Sequence, residues 1–232
     1  MTISAKGERR RAAAIMQPYF APYAGYYRLL AAADVFVIYD CVQFPRRGWV
    51  HRNRLPGSDG EPAWLTLPLK PAPFDARIDA MTFAEDAAGR MAERIRAFPS
   101  LAAAPEAATA LLHAGPFSGA LVDYLERQLA LACARLAMAP ALMRSSSLGL
   151  PPELRGQDRI LEICRRVGAT DYVNAPGGRD LYDAAAFEAA GVALHFLPPW
   201  EGSPLSLLHR LAVEPAEAVA AEIARQTPDY RH

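Results

Sequence analysis

AAAIMQPYFAPYAGYYRLLAAADVFVIYD, residues 12–40, is the stretch that decides the fold. Its apolar run Ala12–Met16 ends at Gln17-Pro18, as a buried strand does where it meets a loop. Tyr26, Tyr27, Leu29 and Leu30 then follow at helical spacing within Tyr23–Ala33. Val35–Tyr39 is β-branched and aromatic, which suits a second buried strand. Strand, helix and strand in so short a span form the opening of a parallel sheet, because parallel neighbours need a crossover between them.

Outward from this opening, Cys41–Pro62 mixes arginines with Pro, Gly and Asn and predicts a long loop, with one short strand near Trp49-Val50. Ala63–Leu67 and Arg77–Phe83 alternate well enough to be strands. From Ala87 to Met138 the chain is alanine-rich and helical, cut by Pro99, Pro105 and Gly115-Pro116, with Phe117–Leu136 its longest helix. Ala141–Ser146 is expected as a strand and Gln157–Val167 as an amphipathic helix stopped by Gly168. A strand at Asp171–Asn174, a helix from Asp180 to Ala190 and a strand at Val192–Leu197 follow. Two further helices, near Ser206 and from Pro215 to Gln226, finish the chain. The expected fold is α/β, a mainly parallel sheet flanked by helices with an alanine-rich helical insertion at about 87–138. Residues 12–232 are read as a single domain and residues 1–11 as a flexible tail.

Composition narrows the function. The chain has 232 residues, 52% hydrophobic, and its 25 basic side chains balance 25 acidic ones. Zero net charge argues against general nucleic-acid binding. No run approaches the ~18 apolar residues of a membrane span, and the apolar run after Arg11 is too short for a signal peptide. Cys41, Cys133 and Cys164 make no CxxC pair or disulfide framework, so a reducing cytoplasm is expected. All the basic residues except Lys6 and Lys70 are arginines, whose rigid fork matches carboxylate and phosphate.

Parallel sheets bind ligands beyond the carboxyl ends of their strands, which directs attention to three polar segments. Gln17–Tyr26 is stiffened by two prolines and carries Gly25, a glycine that pays for itself only where something approaches closely. Its strand–loop–helix spacing faintly resembles that of nucleotidylyl transferases, with Tyr26 where those have a histidine. Asp40–Arg54 crowds Arg46, Arg47, Arg52 and Arg54 around Trp49, His51 and Asn53. Clustered guanidiniums beside a strand-end carboxylate suit an anionic ligand, with Trp49 as a stacking wall and Asp40 as general base. Asn174–Tyr182 holds Gly177-Gly178 between a strand and a helix, where backbone N–H groups can face a ligand and Asp180 can cap. The bland readings are an aromatic loop over the core, a solvated arginine loop with weak surface pairs, and an ordinary turn.

His195 reads as a core or edge residue and Cys164 as a buried hydrophobe, and His113 and His209 have no metal-ligand partners at useful spacing. No metal and no cofactor are therefore expected. Cys41 sits beside Asp40 among the arginines, where a thiol could be activated. Ser145–Ser147 lack a Gly-x-Ser-x-Gly elbow.

Residues 16–54, WLTLPLK at 64–70 and RILEICRRVGATDYVNAPGGRDLYDAAAFEAAGVALHFL at 159–197 together resemble the WbqC-like family of bacteria, in the family's order. The resemblance implies a cytoplasmic protein often encoded among genes for O-antigen, other surface polysaccharides or modified amino sugars. It carries over Gln17, Pro18, Gly25, Asp40, Gln43, Arg47, Trp49, Arg52, Asn53, Arg54, Asn174, Gly177, Gly178 and Tyr182. Cys41 departs from the acidic residue often found at its position.

The function expected is group transfer, acyl or aminoacyl before nucleotidyl, onto an amino or hydroxyl group of an activated sugar or small anionic metabolite. Nucleotide sugars, acyl donors and sugar phosphates are the ligand classes. Asp40 and Asn174 would be catalytic, Asp40 taking the proton. Arg47, Arg52 and Arg54 would hold the anion, and the Asn174–Gly178 turn would face developing charge. The alternatives are a non-catalytic nucleotide- or sugar-phosphate-binding protein and an oligomer interface built from the aromatic loop and alanine-rich helices.

Overall fold

Strands Ala12–Met16 (β1) and Val35–Ile38 (β2) lie side by side and parallel, Ala13 opposite Val35, joined through a 3₁₀ turn at Ala24–Tyr26 and a short helix, Tyr27–Ala32 (α1). The computed structural model of the chain describes residues 10–102, 104 and 106–230. Residues 1–9 of the expected tail lie outside the described residues.

Period-two alternation explains how this sheet is covered on both faces. Ala12, Ala14, Phe36 and Ile38 enter one apolar cluster with α1, while Ala13, Ile15, Val35 and Val37 enter another. The second cluster is closed by the helix Gly156–Val167, through Ile160, Ile163, Cys164 and Val167. Three more parallel strands complete the sheet: Ala141–Arg144, Asp171–Asn174 and Ala193–Phe196. Two further strands, Arg52–Pro56 (β3) and Pro62–Thr66 (β4), form a separate antiparallel pair. The sheet strands are therefore β1, β2, β5, β6 and β7 in chain order, arranged β5-β2-β1-β6-β7. The chain builds outward from β1 through β2 to β5, then crosses back to β6, so the order reverses between β1 and β6. The expected α/β fold with a mainly parallel sheet is the one observed.

Between β4 and β5 come four helices, Ala87–Ile95 (α2), Pro99–Ala102 (α3), Glu106–Leu112 (α4) and Leu121–Arg135 (α5). The helix Gly156–Val167 is thus α6, ended by Gly168 in the left-handed conformation at φ 63°. Ala184–Ala189 (α7), Leu207–Val213 (α8) and Ala216–Arg225 (α9) follow.

Three expectations need correction. Arg77–Phe83 is not a strand: it makes single bridges, Gln43 to Arg77 and Leu69 to Phe83, around a 3₁₀ turn at Ile78–Ala80. The partner of β4 is instead β3, which begins just beyond the short strand expected near Trp49-Val50; there Asn53 and Leu55 are buried while Arg52 and Arg54, alternating with them, are not. The helix expected from Asp180 is split, because Pro176–Leu181 winds as a 3₁₀ helix and Asp183, not Asp180, caps α7 by accepting from the Ala185 amide at 3.0 Å.

Two polar clusters fasten the frame. Ala21 is a non-glycine residue at φ 38°, held there from three sides. Its amide donates to Gln128 Oε1 at 2.6 Å, and its carbonyl accepts from Asn53 Nδ2 at 2.8 Å and from Ser206 Oγ at 2.6 Å. At the opposite, amino end of the sheet, buried Asp171 receives Arg10, His195 Nε2 at 2.8 Å and Thr170 Oγ1 at 2.8 Å. Burial alone would raise the Asp171 carboxyl, but these bonds outweigh it and hold its pKa below the usual value. Arg10, assigned to the tail from sequence, is thereby docked, and His195 is the edge residue it was read to be.

Asn53→Ala should cost about 2–3 kcal/mol in urea unfolding, since the Phe20 carbonyl loses its side-chain donor, the Ala21 carbonyl one of its two, and the Arg54 amide its acceptor. Because the folded pKa of Asp171 is depressed, its contribution is complete above the unfolded value of ~3.9 and is lost as pH falls through the folded one. Asp171→Asn should therefore be less stable at pH 7 and show a flatter loss of stability as pH falls below about 4, measured by chemical denaturation at descending pH.

Candidate functional site

The carboxyl edge of the sheet carries a cavity of about 600 Å³, the range of small-molecule sites (~300–1,000 Å³). It opens where β2 and β5 end and where α6 begins, one strand beyond the point at which the strand order reverses. Tyr39 and Cys41 reach it from the end of β2, Ser145 and Ser146 from the end of β5, and Arg155 and Arg159 from the start of α6. Arg77 is brought there because Arg77–Asp79 runs beside Asp40–Gln43, with the Asp79 amide donating to the Asp40 carbonyl at 3.0 Å.

Asp40 lies behind this wall with no exposed surface. Ser145 Oγ donates to its Oδ1 at 2.9 Å, the Ser146 amide donates to the same oxygen at 2.8 Å, and Ser146 Oγ donates to Oδ2 at 2.6 Å. Ser145 Oγ in turn accepts from the Asp40 and Cys41 amides at 3.1 and 3.2 Å. Ser146 itself is exposed on the cavity side. A hydroxyl facing the cavity is thus joined by one short hydrogen bond to a buried carboxylate.

Arg159 is the other unusual member. It is 9% exposed, its Nε meets no acceptor, and no carboxylate pairs with it among the described residues. Its identified partner is the Tyr39 hydroxyl; burial pushes that phenol up while the guanidinium pulls the other way. Arg77 is paired with Asp79, and Arg155 donates to the carbonyls of Pro152 and Leu154.

The arginine loop is organised differently from the expectation. Arg52 lies 4.2 Å from the Trp64 ring centre, and Arg54 lies 5.4 Å from Trp49 and 5.5 Å from Trp64. Register explains the stack, since Arg54 is directly opposite Trp64 across the β3–β4 pair. Arg52 also donates to the Arg47 carbonyl at 2.7 Å, tying the loop back on itself. Arg47 is exposed. Arg46 leans over Phe74 and lines a basic hollow of about 250 Å³ with His51, Lys70, Arg90 and Arg94. Burial, then Arg52 and Arg94, lowers the His51 pKa to about 4. Trp49, Asn53 and Arg54 border a separate hollow of about 170 Å³ with Tyr19, Tyr23 and Pro204.

The remaining expected residues are dispersed along the same edge. Gln43 lines the large cavity and donates to the Phe74 carbonyl at 2.8 Å. The Gln17 carbonyl accepts the Tyr26 hydroxyl at 2.7 Å. Asn53 spends both its side-chain groups on backbone, donating to the Phe20 and Ala21 carbonyls and accepting the Arg54 amide. A Cβ on Gly25 would fall 2.3 Å from the Tyr23 ring and 2.7 Å from Trp200, so the groups that approach this glycine closely are the protein's own phenol and indole rings. A Cβ on Gly178 would strike the Asn174 carboxamide at 2.3 Å, whereas Gly177 faces open space. Tyr182 packs edge-on against Tyr172 and Phe187, its hydroxyl 3.4 Å from that of Tyr172.

So the structure gathers Asp40, Gln43 and Cys41 at one cavity and sets Trp49, Arg52 and Arg54 at another surface. Ser145, Ser146, Arg77, Arg155 and Arg159 were not foreseen. Arg159 did leave a signal in the sequence: it stands four residues before Ile163 and eight before Val167, so a guanidinium occupies the apolar stripe of α6. Cys133 and Cys164 are buried hydrophobes whose thiols burial pushes up to about 12. Among the described residues no group of three or more His, Cys, Asp or Glu could hold a metal ion, and no helix is long and apolar enough to cross a membrane.

No solved structure matches this chain. An uncharacterized protein of Mycobacterium tuberculosis (strain ATCC 25618 / H37Rv), Rv1507c, is 29% identical over 184 residues, which is 77% of this chain and 78% of that protein. The model of the WbqC-like protein family matches residues 17–202, from the loop after β1 through the last sheet strand to Gly202, and thus takes in every segment that frames the large cavity. The chain belongs to the WbqC-like protein family.

Proposed function

We propose that the chain is a transferase that moves an acyl or aminoacyl group onto an amino or hydroxyl group of an activated sugar or small anionic metabolite in surface-polysaccharide or amino-sugar biosynthesis. The observation that carries this reading is the exposed Ser146 hydroxyl donating at 2.6 Å to buried Asp40 on the wall of the 600 Å³ cavity. Asp40 cannot touch a substrate, so it acts through Ser146. As the acceptor attacks the acyl carbon, its proton passes to Ser146 Oγ while the serine proton passes to Asp40 Oδ2. The bond to the leaving group breaks, and that group departs with the electron pair. Arg77, Arg155 and Arg159 supply the positive charge that the sequence assigned to Arg47, Arg52 and Arg54. The Asn174–Gly178 turn lies at the carboxyl end of β6 along the same edge, and Cys41 and Gln43 border the acceptor side.

One observation favours a second reading, a binding protein without chemistry. The Asp40 carboxylate meets three donors, which is also what a purely structural tie between β2 and β5 requires.

The two readings separate on Ser146→Ala, which removes one exposed hydroxyl and leaves the two bonds from the Ser145 hydroxyl and the Ser146 amide. Nucleotide sugars, acyl-CoA compounds and aminoacyl donors are incubated with amino-sugar acceptors and the products read by mass spectrometry. The transferase reading expects Ser146→Ala to turn over about 10²-fold or more slowly while melting within a few degrees of the parent. Undiminished turnover removes the Ser146–Asp40 pair from the mechanism. Ligand-induced stabilisation with every donor left intact favours the binding protein.

A further inference from the structure

The amino end of α6 has no side-chain cap, like those of α2, α5 and α9 but unlike those of α7 and α8. Those two are capped by Asp183 and Ser206, whose side chains accept first-turn amides. α6, 12 residues long, begins after Arg155 in extended conformation with Gly156 at φ 48°, and no side chain caps it. A Cβ on Gly156 would meet nothing, so the approach to these amides is open. Uncapped first-turn amides and the helix dipole together favour an anion.

The second observation is independent of the helix end. Arg159 lies one turn further in, nine-tenths buried, on the cavity wall; its guanidinium meets the Tyr39 hydroxyl, its buried Nε has no acceptor, and it has no carboxylate partner among the described residues. A guanidinium so far from water is costly unless paired. Arg155 and Arg77 border the same cavity. Among the described residues its one lining carboxylate is Asp75, while the acidic residue of the first helical turn, Asp158, is exposed and does not line it.

We propose that the start of α6 is a phosphate subsite: a phosphoryl group carried by a small metabolite accepts the first-turn amides from Gly156 onward and the guanidiniums of Arg155 and Arg159. The proposal rests on the reading that this cavity is the substrate site, and it names the substrate class as phosphorylated. A tetrahedral dianion supplies acceptors in several directions at once, which fits helix amides on one side and two guanidiniums on the other. It also places the phosphate at the α6 end of the cavity and leaves Ser146 at the β5 end to face the reacting atoms.

Inorganic phosphate, glucose 1-phosphate and UDP are titrated into the full chain by calorimetry and by melting temperature at constant ionic strength, with sodium chloride as the blank. At least one of the three should bind and raise the melting temperature progressively, and their ranking distinguishes a site for free phosphate from one for a sugar phosphate or a nucleotide. Arg159→Leu should weaken that binding about tenfold or more, yet melt without ligand no lower than the parent, because it removes a buried cation that has no carboxylate partner among the described residues. A merely structural arginine would instead lower the melting temperature. Arg155→Gln, at an exposed position, should also weaken binding and decides the matter if Arg159→Leu does not fold. No response beyond chloride to any of the three probes, or parental affinity in both variants, overturns the subsite. The parent chain and Arg159→Leu keep the two proposals apart. Phosphate binding by the parent with no transfer from any donor would end the transferase reading alone, whereas transfer at an unchanged KM in Arg159→Leu would end the subsite alone.

Discussion

A carboxylate sealed away from water needs donors, and the donors available to Asp40 come from the far end of β5. Ser145 and Ser146 lie more than a hundred residues along the chain, beyond the whole α2–α5 excursion, yet all their bonds to Asp40 fall at or below 3.2 Å. That closure fixes how the last residues of β2 and β5 stand relative to each other, and so sets the shape of the cavity between them. Loop closure over so long a connection is entropically expensive, although the cost grows only slowly with length. Parallel register with β2 supplies the rest, with Val35 to Ile38 facing Ala141 to Arg144. The buried charge thus selects one geometry for the edge rather than adding much stability of its own.

Most of the frame was legible because its signals are local and apolar. Ala12–Met16 and Val35–Ile38 announce buried strands by composition, and Gly168 announces the end of α6 by being the residue that adopts φ 63° without strain. β3 was hidden for a physical reason. Its outward positions carry Arg52 and Arg54, which read as solvated loop until Trp64 appears opposite them and supplies aromatic faces for the guanidiniums. The stretch Arg77–Phe83 misled in the other direction, since alternation is also what a segment shows when it touches one neighbour per bridge and turns between them.

The candidate site was only half legible, and arginine shows why. Density along the chain drew attention to Arg46–Arg54, but density says nothing about what each guanidinium already holds. Stacked on tryptophan, bonded to the Arg47 carbonyl or leaning over Phe74, Arg52, Arg54 and Arg46 are largely occupied by their own loop. Arg159 is isolated in sequence between Asp158 and Ile160 and attracts no notice there, yet it combines burial with an unmet Nε. Unmet bonding capacity, rather than local abundance, marks the arginine with something left to bind.

The glycines obey the same logic. Gly25 and Gly178 were attractive because glycine permits close approach, and both are closely approached, but by the Tyr23 and Trp200 rings and by the Asn174 carboxamide. Those contacts lock the β1–α1 loop and the β6–α7 turn against their neighbours. Gly156 is approached by nothing, and stands at the one point on the β2–β5 cavity wall where helix amides begin. A glycine filled from within serves packing, whereas one left open beside uncapped amides and a guanidinium with an unmet Nε leaves room for something from outside. The polar chemistry of this edge is therefore divided between two walls. The β2–β5 wall presents a hydroxyl backed by a carboxylate, and the α6 wall presents amides backed by cations. A molecule carrying a negative charge at one end and an acceptor nucleophile at the other would be held in a single orientation between them.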